Sequence, residues 1–172
     1  MPLPRTSIPN AAAYTAAVAT AGFTLIELLV VIALAAIFFS FTILMGTDAY
    51  RSYGFRAERD SIVTALQTAR SQATSNVCDG SGCTGGQPHG VLVETDKFTI
   101  FQGPSFAGAD HSHDRVIQSR YTIDLSGSTA TEYVFTQLSG NASPAGVVKI
   151  NDSTGHSSDI SINSQGQITW TK

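Results

Sequence analysis

A single carboxylate stands near the start of a long apolar run in this 172-residue chain. The run begins after Gly22 and reaches about Met45, and Glu27 is the only charged residue in it. A carboxylate at membrane depth costs roughly 2.5–3.5 kcal/mol on insertion scales, so an acid in such a position indicates a function. An ion pair would offset this cost. The sequence therefore predicts that Glu27 meets a cationic partner.

A second group of reactive side chains stands at His111, His113 and Asp114. Alternating histidines on a strand would face the same way and could bind a metal together with His89 or His156. The segment follows a turn-rich stretch, which favours a solvated loop instead. The chain has no nucleophile elbow, phosphate loop or HExxH pattern. We therefore predict no enzymatic activity, no metal and no cofactor.

The chain from Phe23 to about Asn76 has the pattern of one long helix. After the apolar run, stripe residues recur at alternating three- and four-residue steps, which places them on one helical face. At 1.5 Å per residue the helix would measure about 80 Å, of which roughly 30 Å matches a membrane's hydrocarbon core. Gly46 and Gly54 are its predicted soft points, and two helices with a break there are the alternative. The stripe consists of Phe55, Arg59, Ile62, Leu66, Ala69 and Ala73.

Beyond Asn76 the pattern changes to short alternating strands that are separated by turn residues. Tight turns are predicted at Thr95-Asp96 and at 163–166, where Gly166 can adopt the left-handed conformation. The small alanines of the stripe would let the helix lie close to the sheet. The predicted fold is α+β, a long N-terminal α-helix packed on an antiparallel β-sheet head. The predicted strands are 91–94, 98–102, 116–123, 132–138, 147–151, 159–162 and 167–170.

The stretch from Gly22 to Glu27, with the apolar residues after it, resembles the processing site of type IV prepilins and of type II secretion pseudopilins. The resemblance implies that a prepilin peptidase cuts after Gly22 and methylates the new amino terminus at Phe23. It also implies that Glu27, then the fifth residue, meets the terminal ammonium of a neighbouring subunit during assembly. A secretory signal or a simple membrane anchor is the alternative, but a secretory signal lacks an internal acid.

The resemblance also implies partners and a location. The partners are other pilin or pseudopilin subunits, the prepilin peptidase/N-methyltransferase, an inner-membrane assembly platform and membrane lipid. The location is a single pass through the bacterial inner membrane with an extracytoplasmic head, followed by a pilus or pseudopilus filament. The segments would be a leader at 1–22, a transmembrane and assembly half-helix at 23–45, an amphipathic half-helix at 46–76 and a β-rich head at 77–172. The leader has Arg5 as its only charge, whereas leaders of this family are often basic next to the glycine.

Two later patterns narrow the resemblance to the GspH/FimT group of minor subunits. One is Leu-x-x-Ala-Arg-x-x-Ala at 66–73, and the other is the closing hairpin at 159–169. The group implies a head of two packed β-sheets, in either a type II secretion pseudopilus or a type IV pilus. The alternative function is a surface-displayed module that binds DNA or serves adhesion. From Val77 onward nine acids face five bases, so we predict that nucleic acid is not a partner.

Cys78 and Cys83 enclose a short loop with two glycines, flexible enough to bring the two α-carbons within disulfide distance. Outside the cytoplasm the pair should be oxidised. We predict a structural disulfide, with a free pair as the alternative, because a metal site would need more ligands and a redox motif would prefer two intervening residues. The loop is short, so the chain-entropy model gives only roughly 2 kcal/mol. The bridge would shape the connection from helix to sheet.

Overall fold

The computed structural model describes residues 22–81, 83–153 and 155–171, and for residues 41–48 it describes the backbone alone. Apart from Gly22, the predicted leader therefore lies outside the described residues. The chain divides into two compact units, Met1–Leu44 and Met45–Lys172. The described residues form an α-helix, short 3₁₀ turns and antiparallel strands. This composition confirms the predicted α+β class.

The helix α1 covers Leu25–Thr74, close to the predicted range, and contains both Gly46 and Gly54. It ends in a Schellman motif, the two-bond arrangement that closes many helices. Asn76 adopts the left-handed conformation with a φ of 57°. The N–H of Val77 donates to the carbonyl of Gln72 at 3.0 Å, and the N–H of Asn76 donates to the carbonyl of Ala73 at 3.2 Å.

The part of α1 in the second unit buries the predicted stripe. Ile62, Leu66, Ala69 and Ala73 are fully buried. Glu58 is not a member of the predicted stripe, but it is buried as well and only 6 % exposed. It stands four residues before Ile62, and residues with this spacing share a face of a helix.

The first sheet has five strands, β1 at His89–Val93, β2 at Lys97–Gln102, β3 at Arg115–Gln118, β4 at Glu132–Phe135 and β5 at Ala142–Ser143. Their order is β3-β2-β1-β4-β5, and every neighbouring pair is antiparallel. The predicted turn at Thr95-Asp96 joins β1 to β2, and there the N–H of Glu94 donates to the carbonyl of Lys97 at 2.9 Å. Between β2 and β3 lie 3₁₀ turns at Phe106–Gly108 and His111–His113.

The second sheet has three antiparallel strands in the order β6-β7-β8. The strands are β6 at Gly146–Asn151, β7 at Ser157–Ile162 and β8 at Ile168–Trp170. The turn between β7 and β8 is the predicted one, with Gly166 at a φ of 72°. There the N–H of Asn163 donates to the carbonyl of Gln167 at 3.1 Å. The two hairpin turns, between β1 and β2 and between β7 and β8, were therefore correctly predicted.

β3 is shorter than predicted. It ends at Gln118, although the predicted strand continued to residue 123. The chain then leaves the first sheet, because Asp124 pairs with Asn151 of the second sheet through reciprocal backbone hydrogen bonds of 3.1 and 3.0 Å. The start of the predicted strand therefore belongs to the first sheet, and the residue after its end pairs with the second sheet.

β4 is also shorter than predicted, and the strand after it was not predicted at all. β4 ends at Phe135, since Leu138 has a φ of 63° and its N–H donates to the carbonyl of Ala73 in α1 at 2.9 Å. β5 has two residues, too few for any periodicity to reveal.

One hydrophobic core joins α1 to both sheets. Its strands alternate buried and more exposed residues, as strands with one buried face do. The fully buried strand side chains of this core include Val91, Phe98, Tyr133, Phe135, Ile150 and Ile160.

Arg70 connects α1 to two loops of the head. Its Nε donates to the carbonyl of Gly140 at 3.4 Å, and its Nη2 donates to the carbonyl of Gln165 at 3.3 Å. Gly140 and Gly166 both have a positive φ. A Cβ placed on Gly166 would lie 1.9 Å from the carbonyl oxygen of Gly140. The two loops therefore approach more closely than any side chain at position 166 would allow.

Candidate functional site

The predicted processing bond lies in exposed backbone just before a helix. Gly22, Phe23 and Thr24 are not helical, and α1 begins at Leu25. The side chain of Phe23 is 81 % exposed, and among the described residues no atom beyond the chain neighbours of Gly22 lies within 4 Å of the position that a Cβ on Gly22 would take. Proteases cut exposed chain more readily than regular structure. The geometry of the Gly22–Phe23 bond is therefore open to a peptidase.

Thr24 is the N-cap of α1. Its Oγ1 accepts a hydrogen bond from the N–H of Glu27 at 3.3 Å, and its carbonyl accepts one from the N–H of Leu28 at 3.1 Å. The spacing Thr-x-x-Glu is that of a capping box, in which both residues satisfy free N–H groups of the first turn. We did not predict this cap, although the spacing alone could have indicated it. Thr24 fixes the start of the helix directly after the predicted cut.

Glu27 is exposed in the first turn of α1, where the helix dipole favours a negative charge. Among the described residues its carboxylate has no ion-pair partner.

The large apolar side chains from Leu25 to Phe39 are also exposed, around the whole circumference of the helix. A helix that is apolar on all sides requires apolar surroundings. Within the described part of the chain, no helix is long and apolar enough to cross a membrane.

Residues 19–43 match the family model described as the prokaryotic N-terminal methylation motif. The chain carries a type IV prepilin-like signal. This signal implies processing by a prepilin peptidase and assembly with other pilins, and it supports a type IV pilin-like protein. The family that it marks is structural rather than enzymatic. No curated protein and no solved structure gave a significant match.

A disulfide joins Cys78 to Cys83, as the sequence predicts, with the two α-carbons 5.8 Å apart. Gly80 has a φ of 110°, which a residue with a side chain rarely adopts. Gln102, at the end of β2, forms hydrogen bonds with the backbone of the loop between the two cysteines. Its Oε1 accepts from the N–H of Asp79 at 2.7 Å, and its Nε2 donates to the carbonyl of Asp79 at 3.2 Å. The bridge therefore fixes the connection between α1 and the first sheet.

The histidines do not gather into a metal site. His111 and His113 stand in an exposed 3₁₀ turn, and the Nδ1 of His111 lies 2.7 Å from the Oδ2 of Asp114. His89 is buried at the start of β1. Among the described residues no group of three or more metal-binding side chains occurs. The hydrogen bond from the Ser112 N–H, followed by that from its side chain, lowers the pKa of Asp110, so this aspartate serves the turn as its cap.

His89 has an environment that favours its neutral form. Its Nδ1 lies 3.1 Å from the carbonyl of Gln87, while its Nε2 is buried without a hydrogen-bond partner among the described residues. Burial lowers the pKa of His89, and the Gln87 carbonyl and the charge of Asp79 oppose this effect only in part. The residue is a structural part of the head and was not predicted as such.

Proposed function

We propose that this protein is a minor pilin or pseudopilin of the GspH/FimT type, a structural subunit of a type II secretion pseudopilus or of a type IV pilus. The observation that carries the proposal is the methylation motif at residues 19–43, which contains Gly22 and, five positions later, Glu27. The exposed start of α1 supports it, because the peptidase and the neighbouring subunit both need access to this segment.

In the proposed mechanism, cleavage after Gly22 creates an ammonium group at Phe23, which the same enzyme methylates. The ammonium of an incoming subunit then pairs with Glu27 of a subunit already in the filament. Opposite charges about 4 Å apart attract by about 4 kcal/mol at an effective dielectric constant of about 20. This attraction exceeds the roughly 2.5–3.5 kcal/mol that inserting a carboxylate costs. Glu27 thus favours assembled subunits over isolated ones.

We place residues 23–45 in the inner membrane as the assembly half of the helix. Residues 46–76 form the amphipathic half, and residues 77–172 form the extracytoplasmic head. Four fully buried stripe residues, Ile62, Leu66, Ala69 and Ala73, support the role of the amphipathic half as the support of the head. The disulfide supports an oxidising compartment for the head. The prepilin peptidase, the assembly platform and membrane lipid are the proposed partners besides other subunits.

Mass spectrometry of the protein extracted from membranes tests the maturation step. The expected chain begins at a methylated Phe23. An intact leader, or a cut after Ala17 or Ala21, would refute the assignment.

A pair of variants tests the role of Glu27. Glu27→Gln keeps a residue that can complete the capping box but removes the charge. Thr24→Ala removes the capping oxygen, at about 1 kcal/mol of helix stability, but leaves the charge. We expect sheared filaments to contain Thr24→Ala near wild-type levels and to lack Glu27→Gln. The opposite pattern would make Glu27 a helix cap and not an assembly device. Immunoblots of total membranes would show that both variants accumulate equally.

A further inference from the structure

The second unit contains a cleft that the proposed function does not use. It has a volume of about 620 Å³. Its walls come from the α1 residues between Arg51 and Glu58, from the segment 121–124 and from the segment 150–153. All of these lie in one compact unit. The cleft is therefore a property of the head and its supporting helix.

Glu58 lies in the wall of this cleft, and the hydrogen-bonding capacity of its carboxylate is only partly used. The residue is more than nine-tenths buried. Its Oε2 accepts one long hydrogen bond from the N–H of Arg120, at 3.4 Å, and its Oε1 is buried with no partner among the described residues. The adjacent Arg59 pairs instead with Asp60 at 2.8 Å. A buried carboxylate without full pairing is costly, so such a group indicates that something binds there.

The other walls combine aromatic and aliphatic surface. Phe55 stacks on His156 with ring centroids 5.7 Å apart. The ring of Tyr121 packs closely against Gly54 and remains 43 % exposed. Ile123 and Ile150 line the cleft as well. Aromatic faces attract cations, and aliphatic walls accept a hydrocarbon stem.

The cleft carries an excess of negative charge. Among the described residues three carboxylates line it, those of Glu58, Asp124 and Asp152, against the guanidinium of Arg51. The Oδ2 of Asp152 also lies 2.8 Å from the Nδ1 of His156. Hydrogen bonds from Ser126 lower the pKa of Asp124, so this group is ionised at neutral pH. A cation that enters the cleft meets a favourable field, whereas an anion is repelled.

We infer that this cleft binds an organic cation, a primary ammonium or guanidinium group on a short apolar stem. The group is carried either by a free amine, such as a basic amino acid, or by a lysine or arginine side chain of another polypeptide. Glu58 supplies the charge, and Phe55 and Tyr121 supply the aromatic walls. This inference does not depend on filament assembly, and its failure would leave the proposed function intact.

Isothermal titration calorimetry on the full chain in a non-ionic detergent tests it. The probes are n-butylguanidinium and n-butylammonium, n-butanol as the uncharged control, and the peptide acetyl-Ala-Arg-Ala-amide. We expect saturable binding of a cationic probe, with n-butanol at least about tenfold weaker. If the small cations bind, the site accepts a free amine. If only the peptide binds, the site binds a basic side chain of another polypeptide. If neither binds, or if n-butanol binds equally well, the inference is wrong.

Variants locate the interaction. Glu58→Gln should weaken binding by about tenfold or more, because it removes the charge but keeps an acceptor for the N–H of Arg120. Glu94→Gln is the matched control, since Glu94 lies in the turn between β1 and β2 and pairs with Lys97 at 3.4 Å. It should bind like wild type. Tyr121→Leu should weaken binding by about two- to fivefold. Wild-type affinity in Glu58→Gln, or in Tyr121→Leu if the first variant does not fold, would overturn the inference.

Discussion

Replacing Gly166 by alanine should destabilise the head far more than its small size suggests. The residue has a φ of 72°, and this conformation costs an L-residue roughly 1–2 kcal/mol. The new Cβ would also lie 1.9 Å from the carbonyl oxygen of Gly140 and 3.0 Å from the Nε of Arg70. Ordinary contact needs about 1.5 Å more room at that oxygen. The carbonyl must therefore move, which disturbs its hydrogen bond to Arg70.

Overpacking of this kind costs typically about 1–3 kcal/mol in addition to the strain. The expected total is about 2–5 kcal/mol, which at about 4 °C per kcal/mol lowers the melting temperature by about 8–20 °C. Gly155→Ala is the matched control, because Gly155 has a φ of 92° but open space around it. It should lose only about 4–8 °C. The fluorescence of Trp170, the only tryptophan and part of β8, follows the melting of the full chain in detergent. Variants that melt within about 3 °C of each other would refute the reasoning.

Three further predictions concern the head. Burial lowers the pKa of His89 below its usual value, so the unfolded chain binds the proton first as the pH falls, and the stability present above pH 6.5 is lost as the pH falls through the folded-state pKa. The melting temperature of His89→Gln should therefore fall less between pH 7.5 and 5.5 than that of wild type. Equal falls in melting temperature for the two proteins would contradict this. Replacing Cys78 and Cys83 together by serine should cost only roughly 2 kcal/mol in urea unfolding, and complete loss of folding would show that the bridge does more than close a short loop. A fragment of residues 50–172 should be a soluble monomer with no measurable affinity for double-stranded DNA at physiological salt, and salt-sensitive micromolar binding in an anisotropy titration would contradict this.

The regular elements of the fold were readable because their signals are periodic. The steps that place Ile62, Leu66, Ala69 and Ala73 on one face predicted the buried side of α1, and the glycine at 166 predicted the last hairpin. The limits of the strands were not readable. Leu138 leaves its strand because the end of α1 offers a carbonyl at Ala73, and that contact exists only after folding.

The candidate sites divide in the same way. The segment from Gly22 to Glu27 is contiguous, so its chemistry is visible in the sequence, and even the Thr24 cap follows a local spacing. Glu58 and Gln102 act through partners that are far away in the chain. Nothing in the sequence indicates that the backbone N–H of Arg120, 62 positions away, donates to the carboxylate of Glu58.

The hydrogen bonds of Arg70 bridge 70 and 95 positions of the chain. When the helix has been synthesised, none of the strands that cover its stripe has yet been made. The second partner of Arg70, the carbonyl of Gln165, is synthesised only with the turn before β8. Contacts of such long range form late and slowly. Until the closing hairpin has been synthesised, the stripe remains an exposed apolar surface. A premature stop within the closing hairpin would thus leave a chain with an uncovered helix, exposed to proteases and to its neighbours.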